Sequence, residues 1–179
     1  MQVVFLSNNQ LTSVNVANLA NLTTLNVSNN NLSNINVSTL SALETLYCNS
    51  NLLTSINVND LANLETLSCS YNPFPSNTLD FSTMVNLRNL YCADTNLSVL
   101  NISALVNLVD LDISDNQFTV FDFSPFVNIN GLDCSNNLLT AIDVSALVNL
   151  GMLVCSNNLL TSINVESNHN LCLDRKSVV

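Results

Sequence analysis

The sequence predicts a solenoid in which eight short coils follow one another and lay their strands side by side in one parallel sheet. Three observations predict this fold. Leucine-like residues recur with a period of 21 along the chain. Within each period, apolar and polar residues alternate over a short stretch, which is the pattern of a β-strand with one buried face. An asparagine then recurs at the same place in almost every period.

The repeat divides the 179-residue chain into eight units and a short tail. We predict a single domain over residues 1–171 and a C-terminal tail over residues 172–179. The fourth unit has 23 residues and carries Pro73-Phe74-Pro75, which we expect in a loop on the convex side. Open ends of a solenoid expose apolar surface, so we expect a fragment, or ends that another element covers. The units begin at Met1, Leu22, Leu43, Leu64, Leu87, Leu108, Ile129 and Leu150.

Positions are numbered from the first residue of each unit. Positions 1, 4, 6, 11, 14, 16 and 19 are apolar almost throughout, so they predict the core. Position 9 lies where the chain leaves the strand, and its asparagine side chain can bond backbone groups that no sheet ladder reaches. Thr95 replaces this asparagine once and should shorten the reach of that rung. The predicted ladder comprises Asn9, Asn30, Asn51, Asn72, Asn116, Asn137 and Asn158.

The motif LxxLx(L/C)xxNxL resembles that of leucine-rich-repeat proteins, specifically the short bacterial type with cysteine at position 6. The resemblance covers residues 1–171. It implies an α/β horseshoe-type solenoid with a parallel β-sheet on the concave face. It also implies an irregular, extended or short 3-10 convex side with few or no long helices, and favours a secreted or cell-surface protein. We expect the serine at position 17, as in Ser38 and Ser145, to cap a single helical turn on the convex side.

Composition excludes several classes of partner. The net charge is −10, and the only basic residues are Arg88, Arg175 and Lys176. Nucleic-acid binding needs a basic surface, so we expect no nucleic-acid partner. Anionic membrane surfaces are excluded for the same reason. The sequence has no apolar run long enough to cross a membrane, begins without the pattern of a signal peptide, and suggests no cofactor.

Five cysteines share position 6, where other units carry leucine, valine or isoleucine. Cysteine at this position is therefore predicted to be a small buried apolar residue. Side chains that stand parallel on successive strands do not converge as a disulfide requires, and the spacing does not match a metal site. Cys172 lies outside the column as a candidate free thiol. The column comprises Cys48, Cys69, Cys92, Cys134 and Cys155.

The concave face is predicted to present positions 3, 5, 7 and 8, which the fold leaves free to vary. All three tyrosines and a group of aspartates fall at these positions. Aromatic residues anchor binding surfaces, and an acidic patch attracts a basic partner. The sequence therefore predicts a protein- or peptide-binding module, and its acidic patch favours a basic partner. The candidate binding residues are Tyr47, Tyr71, Tyr91, Asp94, Asp110, Asp112, Asp115 and Asp133.

Other interpretations of this face stay open. The acidic residues could serve only to keep the solenoid soluble. Asp110, Asp112 and Asp133 form a weak calcium candidate, because calcium binds clustered carboxylates. The chain could instead be a structural segment of a larger surface or adhesive repeat protein, or bind carbohydrate through its tyrosines. Catalysis is not expected, because the single histidine, His169, is far from the acidic face and no catalytic triad can be placed there.

Overall fold

The computed structural model describes residues 2–75 and 79–171, which form one sheet of eight parallel strands in sequential order. The described residues contain no helix. The predicted solenoid is thus confirmed, with a sheet on one side and irregular connections on the other. The strands are β1 Gln2–Phe5, β2 Leu22–Asn26, β3 Thr45–Tyr47, β4 Thr66–Ser68, β5 Asn89–Tyr91, β6 Asp110–Asp112, β7 Gly131–Asp133 and β8 Met152–Val154.

The strands pair in register, so equivalent positions of successive coils form continuous columns. Leu25 pairs with Leu46, which pairs with Leu67, and all three leucines of this position-4 column are fully buried. Position 1 is buried in the same way from Leu22 to Leu150. One coil alone could not remove these side chains from water, so the stacking of coils creates the core.

The cysteine column packs as a set of apolar residues. The five cysteines of position 6 are free thiols, and all but Cys155 are buried. Burial raises the pKa of the Cys69 and Cys134 thiols to about 12. Such thiols remain protonated at neutral pH, as expected of structural cysteines. Cys172 lies outside the described residues.

The convex side consists of tight turns rather than helix. Leu19 donates its N–H to the Val16 carbonyl at 3.0 Å, and Leu22 donates to the Leu19 carbonyl at 2.8 Å. The predicted capping role of the position-17 serine is wrong. The side-chain oxygen at position 15 instead accepts the N–H at position 17, as Asp143 Oδ1 does from Ser145 at 2.9 Å. An asparagine or aspartate at position 15 therefore holds the turn.

The asparagine ladder of position 9 joins each coil to the one before it. Asn51 Nδ2 donates to the Val27 carbonyl of the preceding coil at 3.0 Å and to the Cys48 carbonyl of its own coil at 3.1 Å. Its Oδ1 accepts the Leu32 N–H at 3.0 Å. One side chain thus satisfies three backbone groups away from water. The buried members are Asn30, Asn51, Asn72, Asn116 and Asn137, and Asn158 is partly buried.

Two positions depart from this ladder. Asn9 is exposed and, among the described residues, donates to carbonyls of its own coil, those of Leu6 and Ser7, so it makes the own-coil bonds of the ladder without a bond to an earlier coil. It lies in the first coil, where the structure describes no earlier carbonyl for it to reach. The Thr95 hydroxyl donates to the Cys92 carbonyl of its own coil at 2.7 Å. Phe74 of the preceding coil donates its N–H to the Asn72 carbonyl instead of to a ladder side chain.

A second series of asparagines, at the last position of the unit, was not anticipated from the sequence. Asn63 Nδ2 donates to the Ser41 carbonyl of the preceding coil at 2.9 Å, and Asn107 donates to the Val85 carbonyl at 2.9 Å. This exposed ladder joins neighbouring coils beside the N-terminal ends of β4 to β8. The other members are Asn86, Asn128, Asn149 and Asn170.

Candidate binding face

The concave face carries two columns of side chains at the middle of the sheet. In the position-5 column, Tyr47 pairs with Ser68, which pairs with Tyr91. The column continues from Tyr91 to Asp112 and then to Asp133. Neighbouring strands lie roughly 4.8 Å apart, so the sheet brings four of the predicted residues into one row.

The position-3 column supplies a third carboxylate and a gap beside it. Asp110 pairs with Gly131, which pairs with Met152. A Cβ atom at Gly131 would collide with Asp110 Oδ1, so the Asp110 carboxylate occupies the space that a side chain at position 131 would need. The Asn89 amide, oriented by its bonding partners, donates to Asp110 Oδ2 at 3.1 Å and accepts from Thr66 Oγ1 at 2.9 Å. Asp110 is therefore held in place from the preceding strand.

These side chains line a depression of about 290 Å³, which we call the acidic notch. The strand residues Asp110–Asp112, Gly131 and Asp133 form its floor, and Tyr91 and Met152 form its two ends. The Met152 side chain is largely exposed, whereas Tyr91 is half-buried. Burial raises the pKa of the Tyr91 hydroxyl, and the charges of Asp110, Tyr47 and Asp112 raise it further. The notch is thus acidic but partly shielded from water.

Hydrogen bonds fix the two carboxylates of position 5. Ser114 donates its N–H and its hydroxyl to Asp112 Oδ1, at 3.0 and 2.6 Å. Ser135 bonds Asp133 Oδ1 in the same way, at 3.0 and 2.6 Å. The carboxylates therefore have one orientation before any ligand arrives, and a preorganised site loses less entropy on binding.

Two of the four positions expected to be free are in fact dictated by the fold. Position 7 is buried at Ser28, Ser70, Ala93, Ser114 and Ser135, so it does not belong to the face. Position 8 takes a left-handed backbone in every coil, with φ between 48° and 59°. Asparagine and aspartate tolerate this conformation best.

The left-handed backbone gives several predicted site residues a structural explanation. Asp94 and Asp115 occupy position 8, at the exposed edge of the face and outside the notch. Tyr71 also occupies this position with φ 56° and is 53% exposed. Tyrosine has no local hydrogen bond to offset the strain of this conformation. The structure therefore separates these three residues from Tyr91, Asp110, Asp112 and Asp133, and Tyr47 lies beside the notch rather than in it.

Sequence reasoning missed the contributions of Gly131, Met152 and Asn89. All three fall at position 3, where the first coils carry Val3 or a threonine. The break in this threonine series was the available signal. Among residues 2–75 and 79–171, no three histidine, cysteine, aspartate or glutamate side chains are placed to hold a metal ion. The weak calcium candidate of Asp110, Asp112 and Asp133 is accordingly not supported.

Comparison with known proteins agrees with this architecture. The sequence model for the Leucine Rich Repeat family matches residues 21–43. The structure of the functional domain of InlJ from Listeria monocytogenes, described as including a cysteine ladder, matches 94% of this chain with a TM-score of 0.90 and 30% identity. The chain therefore has the leucine-rich-repeat fold. The cysteine column of this chain parallels the cysteine ladder named in the description of the InlJ domain.

Further solved structures support the same fold. The leucine-rich-repeat protein LIC12759 of Leptospira interrogans matches 94% of the chain at 25% identity with a TM-score of 0.75. TLR13, solved as a complex with ssRNA13, matches 84% at 28% identity with a TM-score of 0.69. The present chain covers 37% of the InlJ chain, 52% of the LIC12759 chain and 24% of the TLR13 chain in those structures. No curated protein matches its sequence. The described residues contain no helix that is long and apolar enough to cross a membrane.

Proposed function

We propose that this protein binds a protein or peptide through its concave face, and that the acidic notch receives a lysine or arginine side chain of that partner. The observation that carries this proposal is the placement of three carboxylates around one depression of about 290 Å³. A binding role rather than a catalytic one is part of the proposal.

Electrostatics favours a cationic ligand. Asp112 and Asp133 are paired on neighbouring strands, and Asp110 lines the same notch. Like charges separated by about 5 Å repel one another, and a bound cation relieves the repulsion. The serine hydrogen bonds hold both position-5 carboxylates in this arrangement. Binding energy is therefore available to a cation without a rearrangement of the site.

The ends of the notch suit the apolar stem of a basic side chain. Lysine and arginine cover apolar surface with their methylene groups while the charged group makes polar contacts. Met152 offers a flexible thioether at one end, and Tyr91 offers a ring face that attracts a cation at the other. A peptide that crosses the sheet could place its stem on Met152 and its charge between the carboxylates.

Nucleic acid is not proposed as a partner, although ssRNA13 is bound in the TLR13 structure. That ligand belongs to TLR13. This chain carries a net charge of −10, and Arg88 is the only lysine or arginine among the described residues. On the described part of the chain, a polyanion would meet no basic surface that could release its counterions.

The test is an unbiased selection of peptides followed by matched variants. A phage-displayed random peptide library is selected on the protein, and the best peptides are measured by isothermal titration calorimetry. Asp112→Asn combined with Asp133→Asn removes the charge and keeps the local turn, because Asn26 accepts the same two bonds from Ser28. We expect basic peptides whose affinity falls at least tenfold in this variant.

The control makes the same change of charge on the convex side. Asp80→Asn combined with Asp143→Asn removes two exposed carboxylates that lie away from the notch, and we expect less than a twofold change. Selected peptides without lysine or arginine, or equal losses in both double variants, would contradict the proposal.

A second role as a segment of a longer repeat protein is favoured by one observation. The chain spans only 24–52% of the three related chains compared above. In this role the coils would act as a spacer without a ligand of their own. An absence of any specific peptide after selection, together with no binding on a glycan array, would support the spacer role over both peptide and carbohydrate binding.

A further inference from the structure

The convex side carries a second depression, between the fifth and sixth coils, with a volume of about 490 Å³. We call it the convex cavity. Leu100 and Ile102 of the fifth coil and Phe118, Phe121 and Phe126 of the sixth coil form its apolar walls. This volume lies within the range of cavities that hold ligands or side chains of a partner.

The shape of the cavity follows from the aromatic residues of the sixth coil. The Phe121 ring meets Phe118 edge-on, with centroids 5.3 Å apart and planes at 86°. It also lies 4.8 Å from the Phe123 ring and 6.4 Å from the Phe126 ring. Its three partners are buried, but Phe121 is only partly buried, so one side of its ring faces the cavity. The cavity therefore offers an aromatic surface for an edge-to-face contact.

Two valines at the rim are exposed without a structural need. Val99 and Val120, both at position 13, are 62% and 76% exposed. The fold accepts polar or small residues at this position, so it does not require valine. Exposed apolar groups gathered around a cavity are typical of a contact surface. Position 13 carries Ser13, Asn34, Ser55, Ala141 and Ser162 in the other 21-residue units.

The rim also carries negative charge. Asp122 is the charged residue among those that line the cavity. The hydrogen bond of the Ser124 side chain lowers the pKa of Asp122, and the Ser124 N–H lowers it further. Asp122 is thus ionised at neutral pH. An apolar cavity beside a fixed negative charge is complementary to an apolar side chain that has a basic neighbour.

We propose that the convex cavity binds a peptide segment of a partner protein that inserts a leucine or aromatic side chain and places a lysine or arginine beside Asp122. This site is on the opposite side of the coil from the acidic notch and does not depend on the function proposed for that notch. A partner could occupy either site alone.

The test measures the methyl resonances of Leu100 and Ile102, which line the cavity and remain in every variant, by NMR during titration with three blocked tripeptides. The probes are acetyl-Leu-Phe-Lys-amide, acetyl-Leu-Phe-Glu-amide and acetyl-Ala-Ala-Lys-amide. We expect saturable shifts with the first probe, binding at least fivefold weaker with the second, and no saturable shift with the third. Equal binding of the first two probes would overturn the assigned role of Asp122, and no saturable shift with the first would overturn the site.

Variants taken from neighbouring coils keep the fold while changing the site. Val99→Ser combined with Val120→Ser introduces serine, which the equivalent positions Ser55 and Ser162 already carry. This variant should bind the first probe about tenfold more weakly, because two apolar contacts are lost. Asp122→Asn keeps the turn, as Asn101 does with Ser103, and should remove the preference for lysine over glutamate. Ala141→Ser is the matched control in the next coil and should change neither. Unchanged affinity in the double serine variant would refute the proposed site.

Discussion

Replacing one buried member of the asparagine ladder tests how the coils are joined. Asn137 Nδ2 donates to the Ile113 carbonyl of the preceding coil at 2.9 Å and to the Cys134 carbonyl of its own coil at 3.2 Å. Its Oδ1 accepts the Phe118 N–H at 3.0 Å. Asn137→Ala leaves these three buried backbone groups without the partner that bonds them. Each buried unsatisfied group costs about 1–3 kcal/mol, so the loss of three bonds should lower the free energy of unfolding by at least about 3 kcal/mol.

The measurement is urea denaturation followed by circular dichroism, with two comparison variants. Asn137→Thr should cost roughly half as much, because a threonine can bond its own coil as Thr95 bonds the Cys92 carbonyl. Asn9→Ala should cost less than about 1 kcal/mol, because Asn9 is exposed and its carbonyl partners can bond water instead. A loss below 1 kcal/mol for Asn137→Ala, or equal losses for Asn137→Ala and Asn9→Ala, would refute the assigned role of the ladder.

Three further predictions concern single side chains. Tyr71→Asn should raise the free energy of unfolding by about 1 kcal/mol in urea denaturation, because asparagine tolerates the left-handed backbone; a loss of stability would count against the strain. Ser124→Ala should raise the pKa of Asp122 toward 3.8 in an NMR titration, because the Ser124 hydroxyl bond is the largest cause of its lowered value. Because the pKa of Asp122 is lower in the folded state, Asp122 stabilises the fold at pH values above its pKa in the unfolded chain. This contribution is lost as the pH falls through the pKa of the folded state. An unchanged titration midpoint in Ser124→Ala would contradict the role assigned to the Ser124 hydroxyl. In a Cys172→Ser variant, Cys155 should react with a thiol reagent before the four buried thiols of its column, and simultaneous labelling of all five would contradict the burial of that column.

Much of the fold could be predicted because the same pattern of apolar and polar residues recurs in every unit. Apolar residues at position 4 and asparagine at position 9 recur, and each recurrence has one physical cause, the core or the ladder. Asn9 lacks the bond between coils because the described residues hold no earlier coil for it to reach, and a column in the sequence does not display this. The turn on the convex side was assigned to the serine at position 17, although position 15 carries the oxygen that accepts the hydrogen bond.

The candidate site was predicted only in part because it depends on the path of the backbone. The register alone brings Tyr91, Asp112 and Asp133 together, and this was accessible from a period of 21. The left-handed backbone at position 8 could not be predicted from the period, so the sequence placed Asp94 on the binding face because of its charge alone. The notch itself arises because the Asp110 side chain occupies the space that Gly131 leaves, and such a contact requires three-dimensional coordinates.

We propose that the acidic notch, rather than acidic surface in general, recognises a basic side chain. The most direct measurement is an NMR titration of backbone amides with a peptide selected on the protein, at 0.15 M salt, where exposed charges are screened. Saturable shifts centred on Gly131 and Met152, and absent around Asp80 and Asp143, are the predicted result. Shifts of similar size at both groups of aspartates would show unspecific attraction and contradict the claim.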